Sequence, residues 1–427
     1  MSDVPGTGDV NEPMSGRAVL QMVGYAVALG LVGVISGLVF LGVTGLGADW
    51  YGEAALGWFE GPIWWVVVAA GAGAVVGILR RSLRMPAEIP GLIEDLQREH
   101  IELRWVPSIV AVSAVSLFGG ASLGPEVALG QMGGGAGGWI ARRRRLDDDD
   151  TKSLTLSGMA GAFGGLFSSP LLALILVLEI ALPKRRRYLR TFYGGLIASS
   201  VSFGIYFAIV GSVFLGIYQV PTYDFEDWHL FAGVGLGLAA AVVSMLTVVV
   251  GRAAAKAFEH LRVPMVVKPV IAGVVFGLIG FALPLTNFTG SDQLEVVLQN
   301  ASTIGVGLLI AILVGKVIAF SVSAAGGFIG GPIFPILFLG GTAGIILNQV
   351  FPSLPLGLAF ACMLAAVPGS IVSAPFSMVL LAALLTQIGV LQTAPVLIAV
   401  GTAFLSVTVV RYALEKRQSA GETVSPV

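Results

Sequence analysis

Two stretches of this 427-residue chain carry residue types that could hold an anion without any formal positive charge. The first is Gly119-Gly120-Ala121-Ser122-Leu123-Gly124-Pro125-Glu126, followed downstream by Ser168-Ser169-Pro170-Leu171-Leu172. The second is Gly326-Gly327-Phe328-Ile329-Gly330-Gly331-Pro332-Ile333-Phe334-Pro335, followed by Ser373-Ala374-Pro375-Phe376-Ser377. Proline suits the first helical position because its missing N–H would have no partner there, and a preceding glycine lets the backbone approach a ligand closely. A helix opened in this way points free N–H groups and the positive end of its dipole outward. In a membrane such a site binds an anion loosely enough to release it, where a fixed arginine would hold it too tightly. The surroundings fit this chemistry. Between Arg104 and Arg142 the only formal charge is Glu126, and between Glu295 and Arg411 it is Lys316. One such turn could be explained by close helix packing, for which Gly and Pro are also used. A paired set in an almost uncharged interior points to an anion path lined by amides and small hydroxyls.

Individual side chains carry a functional and a structural reading side by side. Glu126 falls in the first turn of a helix whose amides would hold the anion, so its carboxylate is a gate candidate, although acids also simply stabilise helix starts. Glu88 is a second candidate that could equally face an aqueous vestibule. Glu179 is a third, and its closeness in sequence to Lys184 fits an ion pair as well as a proton role. Lys316 reads as a snorkelling or paired side chain more readily than as an anion ligand. Ser122, Ser168, Ser169 and Ser373 could donate to an anion or cap their own helices. His100, His229 and His260 are isolated, so no metal site is expected. Phosphate-loop, zinc-protease and serine-hydrolase signatures are absent, and Gly133–Gly138 reads as a close-packing helix surface. No cofactor, enzymatic activity or nucleic-acid partner is expected.

The elements that must position these residues are membrane helices. The chain is 56% hydrophobic and 11% charged, with 58 glycines, and its mean hydropathy is +0.90. Long continuous apolar runs exclude a soluble enzyme and argue against a β-barrel, whose strands would alternate. The runs lie at about 18–46, 63–79, 106–118, 127–140, 154–182 and 196–218, then at 230–250, 266–285, 304–322, 328–350, 356–388 and 396–410. Several are too short or too broken by Gly and Pro to be one straight crossing, so re-entrant or interrupted helices are expected. Cys362 stands alone, so no internal disulfide forms.

The recurring turns divide the chain into a first membrane repeat, 17–220, and a second, 221–412. These are flanked by a mobile tail at 1–16, with no cleavable signal peptide, and a tail at 413–427. Pro125 to Pro170 spans 45 positions and Pro335 to Pro375 spans 40, a loose agreement. Basic clusters at Arg80–Arg84, Arg142–Arg145, Lys184–Arg190, Arg252–Arg262 and Arg411–Arg417 mark the cytoplasmic side, and the acidic loops 223–228 and 287–295 the outside. Both termini then face the cytoplasm of a multi-pass cell-membrane protein. The run Arg142–Arg145 followed by Asp147–Asp150 reads as a solvated loop whose charges neutralise one another.

The ordered set Ile89-Pro90, Ala121–Pro125, Gly158–Pro170 ending in Glu179, Gly327–Pro335 and the Pro375 turn resembles the CLC family of chloride channels and chloride/proton exchangers. In that family G-[RK]-E-G-P opens one pore helix and G-x-x-G-G-x-F-x-P another. The resemblance spans about residues 20–410. It implies an all-α membrane homodimer with two inverted repeats of tilted and broken helices, surrounded by lipid, and one path for a small inorganic anion, most readily chloride, per subunit. It places Ala87, Ser122, Leu123, Gly124, Gly331, Ile333 and Phe334 at the anion. Leu123 stands where most members carry the gating glutamate, as in a divergent bacterial branch with S-L-G-P-E. Ala87 replaces the coordinating serine, and Ile180 the internal proton glutamate. Tyr412 is not carried over as the pore tyrosine. At 330–335 two registers are open, one of which puts the Pro332 amide at the anion. These departures favour passive conduction. The alternatives are a proton-coupled exchanger using Glu126 as a relocated gate, or a non-conducting scaffold plugged by Leu123.

Overall fold

The computed structural model describes residues 16–59, 61–86, 88–211 and 215–422. Among these it contains sixteen α-helices and no strand. The first eight are α1 (Gly16–Tyr51), α2 (Trp64–Ser82), α3 (Leu92–Arg98), α4 (Val106–Phe118), α5 (Glu126–Arg144), α6 (Asp148–Leu166), α7 (Pro170–Ala181) and α8 (Arg185–Val210). The second eight are α9 (Trp228–His260), α10 (Val267–Ala282), α11 (Ser291–Gln299), α12 (Val306–Ala325), α13 (Ile333–Val350), α14 (Leu356–Val372), α15 (Pro375–Thr386) and α16 (Thr393–Glu422). Seven of them, α1, α2, α8, α9, α12, α13 and α16, are long and apolar enough to cross a membrane. Of the others, α5 and α6 are as long as α2 but less apolar, and the rest are shorter, as expected where interrupted helices must satisfy their ends within protein.

Two apolar runs that read as continuous in sequence are split. The run 154–182 breaks into α6 and α7 at Ser168, which adopts a left-handed φ of 50°, and the run 356–388 breaks into α14 and α15 at Ser373, with φ 60°. In both cases the following proline, Pro170 or Pro375, lacks the N–H that would continue the preceding helix. Ser169 then caps α7, its Oγ accepting from the Leu172 N–H at 3.2 Å.

The two sets of eight pack alike. Helix α6 lies against α1, α5, α7 and α8, and α14 lies against α9, α13, α15 and α16. Helices α4 and α5 pair as α12 and α13 do, and the halves meet through α2 with α10 and α7 with α15. The glycines 133–138 do serve close packing. A methyl on Gly133 or Gly137 would fall 2.2 or 2.1 Å from the carbonyl oxygens of Gly158 and Leu154 on α6. Helix α14 is buried over nearly its whole length and forms the centre of the second half.

Candidate functional site

The turns that open α5 and α13 meet head to head. The Gly124 N–H donates to the Gly331 carbonyl at 2.7 Å, and the Gly331 N–H donates back to the Gly124 carbonyl at 2.6 Å, an antiparallel bridge. Around it the cross-links are reciprocal. Ser323, at the end of α12, accepts from the Ser122 N–H at 3.3 Å, while Ser116, at the end of α4, accepts from the Ile329 N–H at 3.1 Å. One sequence interval separates Ser116 from Ser323, Ser122 from Ile329, Gly124 from Gly331 and Pro125 from Pro332. The structural partner of Pro125 is therefore Pro332 rather than Pro335, which explains the loose agreement of the spacings counted from Pro335.

Glu126 follows Pro125 where the second copy has Ile333, and this difference makes the site. Its side chain is fully buried. Oε1 accepts from the Phe334 N–H at 3.1 Å, and the N–H groups of Ile333 and of Glu126 itself also face the carboxylate. Oε2 has no hydrogen-bond partner. It lies in the seam between the turns, where a methyl on Gly124 or Gly331 would come within 2.1 or 1.9 Å of it. Only glycine at both positions leaves room for the carboxylate. Helix α13 starts at Ile333, and Pro332, which has no N–H, cannot donate to an anion.

A cavity of about 640 Å³ is lined by Leu123, Val127 and Gly330 next to the site and by Arg80, Glu88 and Lys268. A second, of about 300 Å³, is lined by Pro125, Phe334, Ser291 and Asp292. Glu126 itself lines neither, while its chain neighbours Pro125 and Val127 line one each. Backbone donors of this kind can hold a small free anion as well as a carboxylate. Loss of the carboxylate's charge weakens its hold, because hydrogen bonds to charged groups exceed neutral ones by about 1 kcal/mol.

Of the other anticipated residues, Ile333 and Phe334 form the first turn of α13, Phe334 stacking on Phe167 with ring centroids 5.9 Å apart. Leu123 is buried against Gly330, whose added methyl would meet the Leu123 Cβ at 2.6 Å. The hydroxyls of Ser122 and Ser168 are buried without partners. Glu88 is exposed in the larger cavity. Ala87 lies outside the described residues. Tyr412 is 67% exposed and lines neither cavity.

Two expectations are corrected. Glu179 is not paired with Lys184. Its Oε1 accepts from the Phe376 N–H at 2.8 Å, and its Oε2 from the Ser377 N–H at 2.8 Å and the Ser377 hydroxyl at 2.5 Å, so it caps α15. Lys316 neither snorkels nor meets an acid. It is fully buried, its Nζ donating to the carbonyls of Phe288 at 2.8 Å and Asn287 at 3.2 Å and lying 5.0 Å from the Phe338 ring centroid. Sequence reasoning treated Arg80 only as a marker of topology. It is 7% exposed and donates to the carbonyls of Gly327 at 2.8 Å and Pro86 at 3.0 Å, bracing the larger cavity. No local signal marks that role, since both acceptors are backbone. Among the described residues no cluster of His, Cys, Asp and Glu could hold a metal.

A family model for the voltage-gated chloride channel matches residues 72–408. The chain belongs to the CLC family. Among its relatives is YfeO of Salmonella choleraesuis, named for ion transport, 24% identical over 325 residues that cover 71% of this chain and 74% of YfeO. The fold is similar to that of a slow cyanobacterial Cl⁻/H⁺ antiporter, with a TM-score of 0.80 at 18% identity over 94% of this chain and 98% of the other. It is also similar to a CLC-type fluoride/proton antiporter, with a TM-score of 0.71 at 18% identity over 92% and 96%. The all-α CLC fold, a multi-pass membrane protein and the transport of anions follow from this membership.

Proposed function

We propose that this CLC protein conducts chloride or a similar small anion passively, through one path in each subunit of a homodimer in the cell membrane, with Glu126 as the gate. The observation that carries the reading is the Glu126 carboxylate on the Phe334 N–H, in the place an anion would take. The ordinary gate position is Leu123, which cannot carry a proton, and Ile180 stands where the exchangers' internal proton acid would be. When Glu126 is protonated or swings aside, the amides of Ile333 and Phe334 are released to a passing anion. The basic residues Arg80 and Lys268 support a cytoplasmic position for the larger cavity, on the same side as both termini.

The experiment is anion efflux from liposomes containing the purified protein, with valinomycin carrying potassium and internal pH recorded. Chloride loss without proton movement is expected. A second reading, a proton-coupled exchanger in which Glu126 also carries the proton, is favoured by the similar solved structures, both proton antiporters. Proton uptake in fixed ratio to chloride efflux would establish it and overturn passive conduction. Absence of flux with every anion would point to a closed scaffold.

A further inference from the structure

The Arg-rich end of α5 is not neutralised by the acids that follow it. Asp147 caps α6, accepting from the Asp150 N–H at 2.7 Å. Asp148 pairs with Lys152 at 2.6 Å, Asp149 with Arg187 at 3.1 Å and Asp150 with Arg190. Arg142, Arg143, Arg144 and Arg145 are all exposed, and no ion pair among the described residues involves any of them. The expectation that this loop cancels its own charge is therefore corrected: the acids are consumed by α6 and α8, and four guanidinium groups are left facing outward.

Beside them runs a groove of about 530 Å³ between α1 and α5, lined by Tyr25, Ala28, Trp139, Ile140, Arg143 and Arg144. Trp139 is 60% exposed on a helix whose other apolar residues are largely buried. The neighbouring surface of α1 is apolar and open, with Leu20 74% and Leu31 42% exposed. The groove thus has an apolar stem, two aromatic residues at its shoulder and two guanidinium groups without an ion-pair partner at its rim, where α5 ends beside the membrane-crossing α1. Tryptophan and tyrosine settle at the headgroup level of a bilayer, and guanidinium matches a phosphodiester with two parallel hydrogen bonds.

We propose that this groove is a binding site for the headgroup of an anionic phospholipid. Arg143 and Arg144 take the phosphodiester, and an acyl chain lies along Ala28, Trp139 and Ile140. Charge complementarity selects an anionic over a zwitterionic headgroup, and the apolar stem selects a lipid over free phosphate.

The test uses the full chain in nanodiscs of phosphatidylcholine containing a minor fraction of brominated lipid, which quenches nearby tryptophan. The Trp139 signal is the difference between wild type and Trp139→Phe. Brominated phosphatidylglycerol is expected to quench Trp139 several-fold more than brominated phosphatidylcholine at the same fraction. The double variant Arg143→Gln/Arg144→Gln should equalise the two lipids while keeping the wild-type elution volume and anion flux. Equal quenching of the wild type by both lipids overturns the site. Quenching by neither, as when a second copy of the chain covers the groove, overturns it as well. Relief of phosphatidylglycerol quenching by inorganic phosphate would overturn the lipid as the source of the bound group.

Discussion

Glu126 and Glu179 do the same thing at two places in the molecule, with different completeness. Each is a carboxylate from the first repeat that reaches the N-terminus of a helix in the second, α13 for Glu126 and α15 for Glu179. Glu179 is half-buried and has both oxygens satisfied, by two backbone amides and a hydroxyl. Glu126 is fully buried and leaves Oε2 unpartnered against two glycines. A carboxylate with both oxygens engaged is a staple between halves. One held by a single hydrogen bond at a helix start, with its other oxygen unpartnered, is the easier of the two to displace.

Removing the less completely bonded carboxylate should have the largest effect. Glu126→Ala should empty the α13 N-terminus and raise chloride flux at neutral pH by roughly ten- to a hundredfold, the factor corresponding to the ~1.5–3 kcal/mol of a hydrogen bond to a charged group. Liposome efflux measures it, and an unchanged rate would remove Glu126 from the path. Gly331→Ala sharpens the point with the carboxylate retained. Its methyl would displace Oε2, so flux should rise in the same direction by a smaller factor, with part of the gain offset by disturbance of the Gly124–Gly331 bridge. A fall in flux, in protein that elutes normally, would show that the seam is needed open rather than filled.

Breaking the stronger partner should move stability instead. Glu179→Ala should cost about 1–3 kcal/mol by leaving α15 uncapped. This would be read as a lower midpoint of thermal unfolding in detergent, with the pH dependence of flux unchanged. A changed pH profile would mean that Glu179 also takes part in proton movement.

The smallest effect concerns a third carboxylate, outside the membrane-crossing helices. Asp95 on α3 is buried and accepts from Gln131 Nε2 at 2.5 Å. Burial pushes its carboxyl up from 3.8 to about 7. Between those values the folded chain holds a proton that the unfolded chain has lost, so this residue's contribution favours the fold below about pH 4 and is lost as pH rises through about 7. Asp95→Asn should therefore raise the unfolding midpoint relative to wild type at pH 8 more than at pH 5. An identical shift at both values would show that Asp95 does not titrate in this window.

Much of this was legible before any coordinates. The Gly/Pro turns, their pairing and the lack of charge around them are local features, and they mark the N-termini of α5, α7, α13 and α15. The breaks at Ser168 and Ser373 were only half legible. The prolines were visible, but the apolar runs on either side are continuous in composition, and nothing in hydropathy says that a serine there turns left-handed. What each carboxylate touches was not legible at all. Glu126 and Phe334 are 208 residues apart, and Glu179 and Ser377 are 198 apart. In sequence Glu179 has a lysine nearby, so a local pair was the natural expectation. The fold instead turns it toward α15, where amides without intrahelical partners outcompete a solvated lysine. Likewise Asp147–Asp150 sit beside four arginines in sequence, yet α6 and α8 bring other bases closer in space.

The central claim is that the Glu126 carboxylate and a free anion occupy the same place. Anomalous diffraction from crystals soaked in bromide at neutral pH, wild type beside Glu126→Gln, addresses it directly. A bromide peak is expected at the N–H groups of Ile333 and Phe334 in the variant and none there in the wild type. A bromide peak at those amides in the wild type, with the Glu126 carboxylate still on the Phe334 N–H, would contradict it.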